Sequence, residues 1–334
     1  MLTKNEAISK LNDLGAAGQP FSFYCDFLGE RWCVESGKQE NQFYLNIDNQ
    51  NPGKNQSIVH SQQRPRLSTM DYGLETTFNK KPIDIVSFKK AFDQVIHQVN
   101  IGNSFLTNLT FETPIETNLS LEEIFHHSQA KYKLLVPNQF VVFSPETFVK
   151  IKDDHIYSYP MKGTIDANIP DAKNIILNDV KETAEHITIV DLIRNDLSQV
   201  AKEVEVTKFR YIDRLETNDK ELLQVSSEIK GYLGNEWKNR LGETLSKLLP
   251  AGSISGAPKP ETIKIIQKAE SYDRRFYTGI CGYFDGESLD TGVMIRFIKQ
   301  EHDQMIFCSG GGITSFSDPE KEYQEMVDKV YLAI

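Results

Sequence analysis

The stretch "TFVKIKDDHIYSYPM" (residues 147–161) decides how the chain folds. Two runs rich in β-branched and aromatic residues, 147–152 and 155–161, flank the pair Asp153-Asp154. A two-residue polar link is too short for a crossover to a parallel neighbour and suits a hairpin. The pair Asp285-Gly286 joins "TGICGYF" (278–284) to the next extended run in the same way. Further strand signals are "SFLTNLTFE", "FVVFS", "EVEVTKFRYI", "LLQVSSEIKGYL", "GVMIRFIK" and "MIFCSGGGIT". They come in runs, with helices between the runs rather than after each strand. That order predicts an α+β fold of extended antiparallel sheets packed on each other with helices on the outside.

The helical segments carry their own start signals. Residues 82–102 place Ile85, Phe88, Phe92, Val95, Ile96 and Val99 at helical spacing, with Gly102 as a stop. Ser120 stands three residues before Glu123, a capping box, and Asp179 stands before Glu182 at the head of a long helix over 180–201. Residues 259–271, 317–334 and a short amphipathic N-terminal segment complete the set. The polar stretch 49–66 reads as a surface loop. The expectation is a single domain over 1–334, with 1–78 as a short N-terminal elaboration and 79–334 as the catalytic core.

Bulk composition bounds the function. The 334 residues are ample for a large core, and the net charge of -10 with an isoelectric point near 5.3 argues against a nucleic-acid surface. Cys25, Cys33, Cys281 and Cys308 are scattered without metal-ligand spacing and read as reduced, packed residues of a cytoplasmic protein. No signal peptide and no apolar run of about 20 residues is present, so no membrane role is expected.

Lys162, on the corner "YPMKGTI", reads either as a solvated turn lysine or as an amine aimed into a site. Glu182 with Glu185, and Glu322 with Glu325, are each spaced to put two carboxylates on one helix face. Two such pairs suit a hard cation such as Mg²⁺, although the spacing also fits exposed salt-bridging glutamates. "SGGGIT" (309–314) reads either as backbone approaching an anion or as a tight strand-end turn. Arg296, read as interior to an apolar strand, needs an acidic partner or an anionic ligand.

The segments "FSPETF", "YPMKGTI", "LNDVKETAEHITIVDLIRNDLSQV", "AGSISGAPK", "YTGICGYF", "MIRFI" and "SGGGITSFSDPEKEYQEMVDK" occur in an order that resembles the chorismate-utilising enzymes, from about residue 82 to the end. Within that family the form Pro-x-Lys-Gly-Thr is similar to aminodeoxychorismate synthase component I, the branch toward p-aminobenzoate and folate. Anthranilate synthases typically have alanine at the lysine's place.

The resemblance implies two large antiparallel sheets packed together. It implies Mg²⁺ on Glu185 and Glu325, with Glu182 and Glu322 beside it, gripping the ring carboxylate of chorismate. It places Arg296, Tyr283, Lys329 and Gly310, Gly311 and Gly312 at the enolpyruvyl carboxylate, with Thr164 and Ser255 as hydrogen-bonding residues. Glu146 matches the acid that protonates the departing C4 hydroxyl, and Lys162 the nucleophile at C2. Such a lysine must be neutral, and burial with a nearby cation is expected to lower its pKa.

Ammonia is expected from a separate glutamine amidotransferase subunit. Four positions depart from the family pattern: Leu106, Gln224, Thr147 and Asp166 stand where glutamine or lysine, histidine, arginine and arginine are usual. The alternatives are anthranilate synthase component I, which aminates at C2 with loss of pyruvate, and a non-catalytic subunit that binds chorismate or Mg²⁺.

Overall fold

The computed structural model describes residues 1–37, 42–48, 50, 76–216 and 221–334. The stretch 49–66 lies, apart from Gln50, outside the described residues. The strands Thr147–Lys152 and His155–Ser158 form the expected hairpin, with Lys152 opposite His155 and both Asp153 and Asp154 in left-handed backbone (φ 51° and 60°). That is the turn geometry whose twist matches its flanking strands.

Among the described residues every strand pair is antiparallel, and the strands form two sheets. The ten-stranded sheet runs Leu2–Thr3, Arg31–Glu35, Phe21–Cys25, Ile280–Phe284, Leu289–Val293, Thr147–Lys152, His155–Ser158, Glu221–Tyr232 and Met161–Asp166. Lys202–Glu216 pairs with Glu221–Tyr232 off that path. The eight-stranded sheet runs Gly256–Ala257, Leu106–Thr117, Gln304–Ile313, Phe297–Glu301, Phe140–Ser144, Tyr132–Val136 and Tyr44–Ile47, with Phe78–Lys80 beside Leu106–Thr117. The N-terminal segment thus contributes strands to both sheets.

The α+β expectation holds, and side-chain alternation shows why. Phe23, Cys25, Trp32 and Val34 pack under the helices on one side of the larger sheet. Their neighbours Tyr24 and Cys33 point the other way, into a layer with Tyr132, Leu134, Phe140, Val142, Phe297 and Cys308 of the smaller sheet. Leu135, Val141, Phe143 and Phe307 then face Ile124 and Phe125 of the helix Leu121–His127. Strands covered on both faces need apolar residues at every position, which is why "FVVFS" lacks alternation. All four cysteines are free and buried in these layers.

Two caps fall where expected: Ser120 and Glu123 close a capping box, and Asp179 accepts from Glu182 N at 2.8 Å. The helix expected over 82–102 runs Ile85–Asn100, its head capped by Asp84, which accepts from the backbone of Val86 and Ser87. The last helix is shorter than the stretch 317–334, ending at Asp328. The helices Ala172–Asn178 and Leu241–Leu248 add to those expected, the second burying Leu241, Leu245 and Leu248 at helical spacing.

Two strand readings change. "HIYSYPM" breaks at Tyr159-Pro160 into two strands that pair with the same partner, Glu221–Tyr232. "GVMIRFIK" is also two strands, Leu289–Val293 in the larger sheet and Phe297–Glu301 in the smaller. Arg296 is therefore not interior to a strand; it sits at the crossing between sheets with φ of 52°.

Candidate active site

That crossing builds the site. Phe297–Glu301 pairs with Gln304–Ile313 only as far as Phe297 opposite Cys308. Beyond it the chain leaves for the other sheet, and no described strand pairs with that edge of Gly310–Gly312. Their opposite edge stays paired, Gly310 with Thr110, Gly311 with Leu109 and Gly312 with Asn108. The glycines therefore continue a strand and do not form a turn, and the edge left by the crossing lies along a cleft between the two sheets.

Lys162, Glu146, Glu185, Arg296, Gly310, Gly311, Gly312, Glu325 and Lys329 all line that cleft. The long helix Val180–Ser198 turns Glu185 inward to 8 % exposure, where Oε2 meets Lys162 Nζ at 2.7 Å. The last helix, Pro319–Asp328, supplies Glu325, which meets Lys329 Nζ at 2.7 Å, and Glu322, which is buried. Lys329 Nζ also donates to Gly310 O at 2.9 Å.

Burial works against the Lys162 ammonium, but Glu185, Glu325 and Glu182 outweigh it and hold the group above its ordinary value. The downward shift expected from the sequence is not found in this arrangement, because the surrounding field is anionic. Lys329 moves the other way: burial lowers it against the pull of Glu325, and the charges of Arg296 and Lys162 add to the lowering. Glu146 is pushed up by burial, against the Ser253 hydroxyl and the charges of Arg296 and Lys329. A carboxyl so placed is suited to hold a proton and deliver it.

The carboxylate set has the donor chemistry for a hard divalent ion. Glu182, Glu185 and Glu325 act together on Lys162, and Glu322 and Glu325 oxygens both lie 3.6 Å from where a Cβ on Gly311 would stand. Among the described residues no three acidic groups are already gathered as a ligand cage. An ion held by Glu185 and Glu325 would have to displace Lys162 from the first and Lys329 from the second.

Three expected binding residues stand elsewhere. Ser255 is fully buried and its hydroxyl donates to Ala251 O at 2.8 Å. Ser253 reaches the cleft instead, donating to Glu146 Oε1 at 2.5 Å. Residues two apart in a helical turn face nearly opposite ways, so only one of the two serines can point inward. Tyr283 packs into the layer between the sheets, whereas Tyr277, at the other end of the same segment, lines the cleft together with Tyr159. Thr164 is exposed and meets Gln224 Nε2 at 3.4 Å. Asp196, paired with Lys259 at 2.8 Å, also lines the cleft and carried no signal in the sequence.

The departures acquire local reasons. Leu106 packs with Ile189 and Leu192 as an apolar corner of the cleft. Thr147 receives Lys131 Nζ on its hydroxyl at 2.7 Å, so a cation reaches this place from the residue before the strand Tyr132–Val136. Asp166 closes a turn by accepting from Asn168 N at 2.9 Å.

The glycine run is a testable contrast. A Cβ at Gly310 would stand 2.2 Å from Leu109 O, whereas at Gly311 the nearest atoms are the ends of Glu322, Glu325 and Lys329 at 3.6–3.7 Å. Gly310→Ala is expected to lower Tm by several degrees. Gly311→Ala should keep wild-type Tm and weaken binding of a ligand in the cleft, since its methyl enters that space. Equal Tm for the two variants would contradict this geometry.

Comparison with known proteins agrees with this architecture. Residues 16–334 match the family described as chorismate binding enzyme. An "uncharacterized PabA-like protein" of Haemophilus influenzae is 46% identical over 99% of this chain and 98% of its own length. A "putative aminodeoxychorismate synthase" of Schizosaccharomyces pombe is 30% identical over 78% of this chain and 37% of that longer protein. The crystal structure of anthranilate synthase component I from Streptococcus pneumoniae superposes with a TM-score of 0.64 at 25% identity, over 75% of this chain and 58% of that one. The chain belongs to the chorismate-binding enzyme family.

Proposed function

We propose that this chain is the aminating component of an aminodeoxychorismate synthase, a transferase converting chorismate and ammonia into 4-amino-4-deoxychorismate. The observation that carries the reading is Lys162, a largely enclosed amine lining the same cleft as Glu146 and the glycine strand. In the proposed reaction Glu146 donates its proton to the C4 hydroxyl, which leaves as water. As that C–O bond breaks, the ring double bonds shift and the neutral amine of Lys162 bonds to C2. Ammonia then bonds at C4, the double bonds shift back, and Lys162 leaves as the amine. Arg296, Lys329 and the open edge of Gly310–Gly312 suit the side-chain carboxylate; no described carboxylate forms an ion pair with Arg296, whose Nε donates only to Tyr331 Oη at 3.2 Å. Mg²⁺ on Glu185 and Glu325, with Glu182 and Glu322 beside it, would neutralise the anionic field that keeps Lys162 protonated and would hold the ring carboxylate.

The likeness to an anthranilate synthase component I supports a second reading, amination at C2 with loss of pyruvate. Incubation with chorismate, Mg²⁺ and an ammonium salt at raised pH separates the two. The first reading expects aminodeoxychorismate, scored as p-aminobenzoate after a lyase is added. Fluorescent anthranilate with stoichiometric pyruvate would replace it with the second. The reading also includes a separate glutamine amidotransferase as ammonia donor, so glutamine alone should not support turnover by the isolated chain.

A further inference from the structure

Ser253 lies on the short helical turn Gly252–Ser255, and its hydroxyl stands 2.5 Å from Glu146 Oε1. Two features show that this contact is built. Glu146 is fixed from its backbone, its N–H donating to Ser144 Oγ at 3.1 Å and its carbonyl accepting from Val293 N at 3.0 Å. The serine turn is pinned from behind by Arg274, whose guanidinium donates to Ile254 O at 2.8 Å and to Asn108 O at 2.6 Å. Arg274 is itself locked to Glu270 by bonds of 2.9 and 2.6 Å in a fully enclosed setting. Backbone on both sides of the Ser253–Glu146 contact is thus immobilised.

We propose that Ser253 is a positioning residue for the acid: by occupying Oε1 of Glu146, it leaves the transferable proton on Oε2. A carboxylic acid carries one proton, and an oxygen already accepting a short hydrogen bond is the poorer place for it. Without the serine the proton is shared between both oxygens and the carboxyl group turns freely, so fewer enzyme molecules present an acid to the leaving hydroxyl. The Ser253 hydroxyl acts in this scheme through Glu146, to which it donates. The proposal rests on Glu146 being the acid, and it applies to either amination product.

The test follows chorismate consumption, whichever product forms, across pH for wild type, Ser253→Ala, Ser253→Thr and Glu146→Gln. Ser253→Ala is expected to lose about tenfold in kcat, the worth of one positioned hydrogen bond, with KM and Tm unchanged. Its alkaline limb should move to higher pH, because the hydroxyl stabilises the charged form of Glu146, and Ser253→Thr should restore both. An infrared titration of the carboxyl band, assigned by its loss in Glu146→Gln, gives a second readout without substrate and should show the same upward movement in Ser253→Ala. An unchanged band and titration in Ser253→Ala overturns the proposal even if no chorismate is consumed. Full activity in Glu146→Gln removes the underlying role of the acid instead, a different result from inactive Glu146→Gln beside unaffected Ser253→Ala.

Discussion

Lys162→Ala is expected to lower product formation by at least about 10³-fold, the scale on which enzymes respond to loss of a covalent nucleophile. Lys162→Arg should be equally inactive. It keeps a cation opposite Glu185, but a guanidinium stays protonated and cannot attack carbon. The pair of variants therefore separates a nucleophile from a mere counter-charge, since an electrostatic role would leave the arginine variant substantially active. Mass spectrometry of wild type with chorismate and Mg²⁺, ammonia omitted, should find an adduct on Lys162 and none in either variant.

Stability gives an independent reading of the same residue. Because the neighbouring glutamates raise the folded Lys162 above the ordinary lysine value of 10.5, its contribution is fully present below that pH. The contribution is lost as pH rises through the still higher folded value. Lys162→Ala should therefore be less stable than wild type at pH 7, and the difference should narrow above pH 10.5. A gap that widened with alkali would mean that the lysine is held neutral in the ion-free protein.

Arg274→Met is expected to be the most destabilising of the substitutions considered, at about 3–5 kcal/mol, because it strands a buried carboxylate. Glu270 is 8 % and Arg274 4 % exposed, and Glu270 also accepts from Thr110 N and Thr110 Oγ1 at 2.9 and 2.7 Å. For a chain of this size that corresponds to a Tm lower by roughly 5–10 °C, read by calorimetry. Replacing both partners with apolar residues should recover part of the loss, since the desolvated charge then disappears together with its counter-charge. What remains lost would be the anchoring of Ile254 O and Asn108 O, visible as a raised KM for chorismate. A loss below about 1 kcal/mol would show that the pair is not the clamp its geometry describes.

Much of this is legible in the chain. Asp153-Asp154 announces a hairpin, Ser120 and Asp179 announce helix starts, and the Glu182–Glu185 spacing announces one shared face. Each is a short-range property, fixed by backbone sterics, by unpaired N–H groups at a helix end, or by helical repeat. The family order of motifs then names the chemistry those faces could serve.

Choices between neighbours of the same type are not legible in this way. Ser253 and Ser255 differ only in which side of a turn they face, and Tyr277 and Tyr283 only in which end of a segment meets the cleft. "GVMIRFIK" reads as one strand because nothing local marks where a chain changes sheets. Yet that change frees one edge of Gly310–Gly312 and carries Arg296 to the cleft. The elements, their caps and the residues capable of chemistry are written in the chain, because they rest on contacts a few residues apart. Which of those residues meet is settled only on folding, because strand pairing across more than a hundred residues and the packing of two sheets set the cleft.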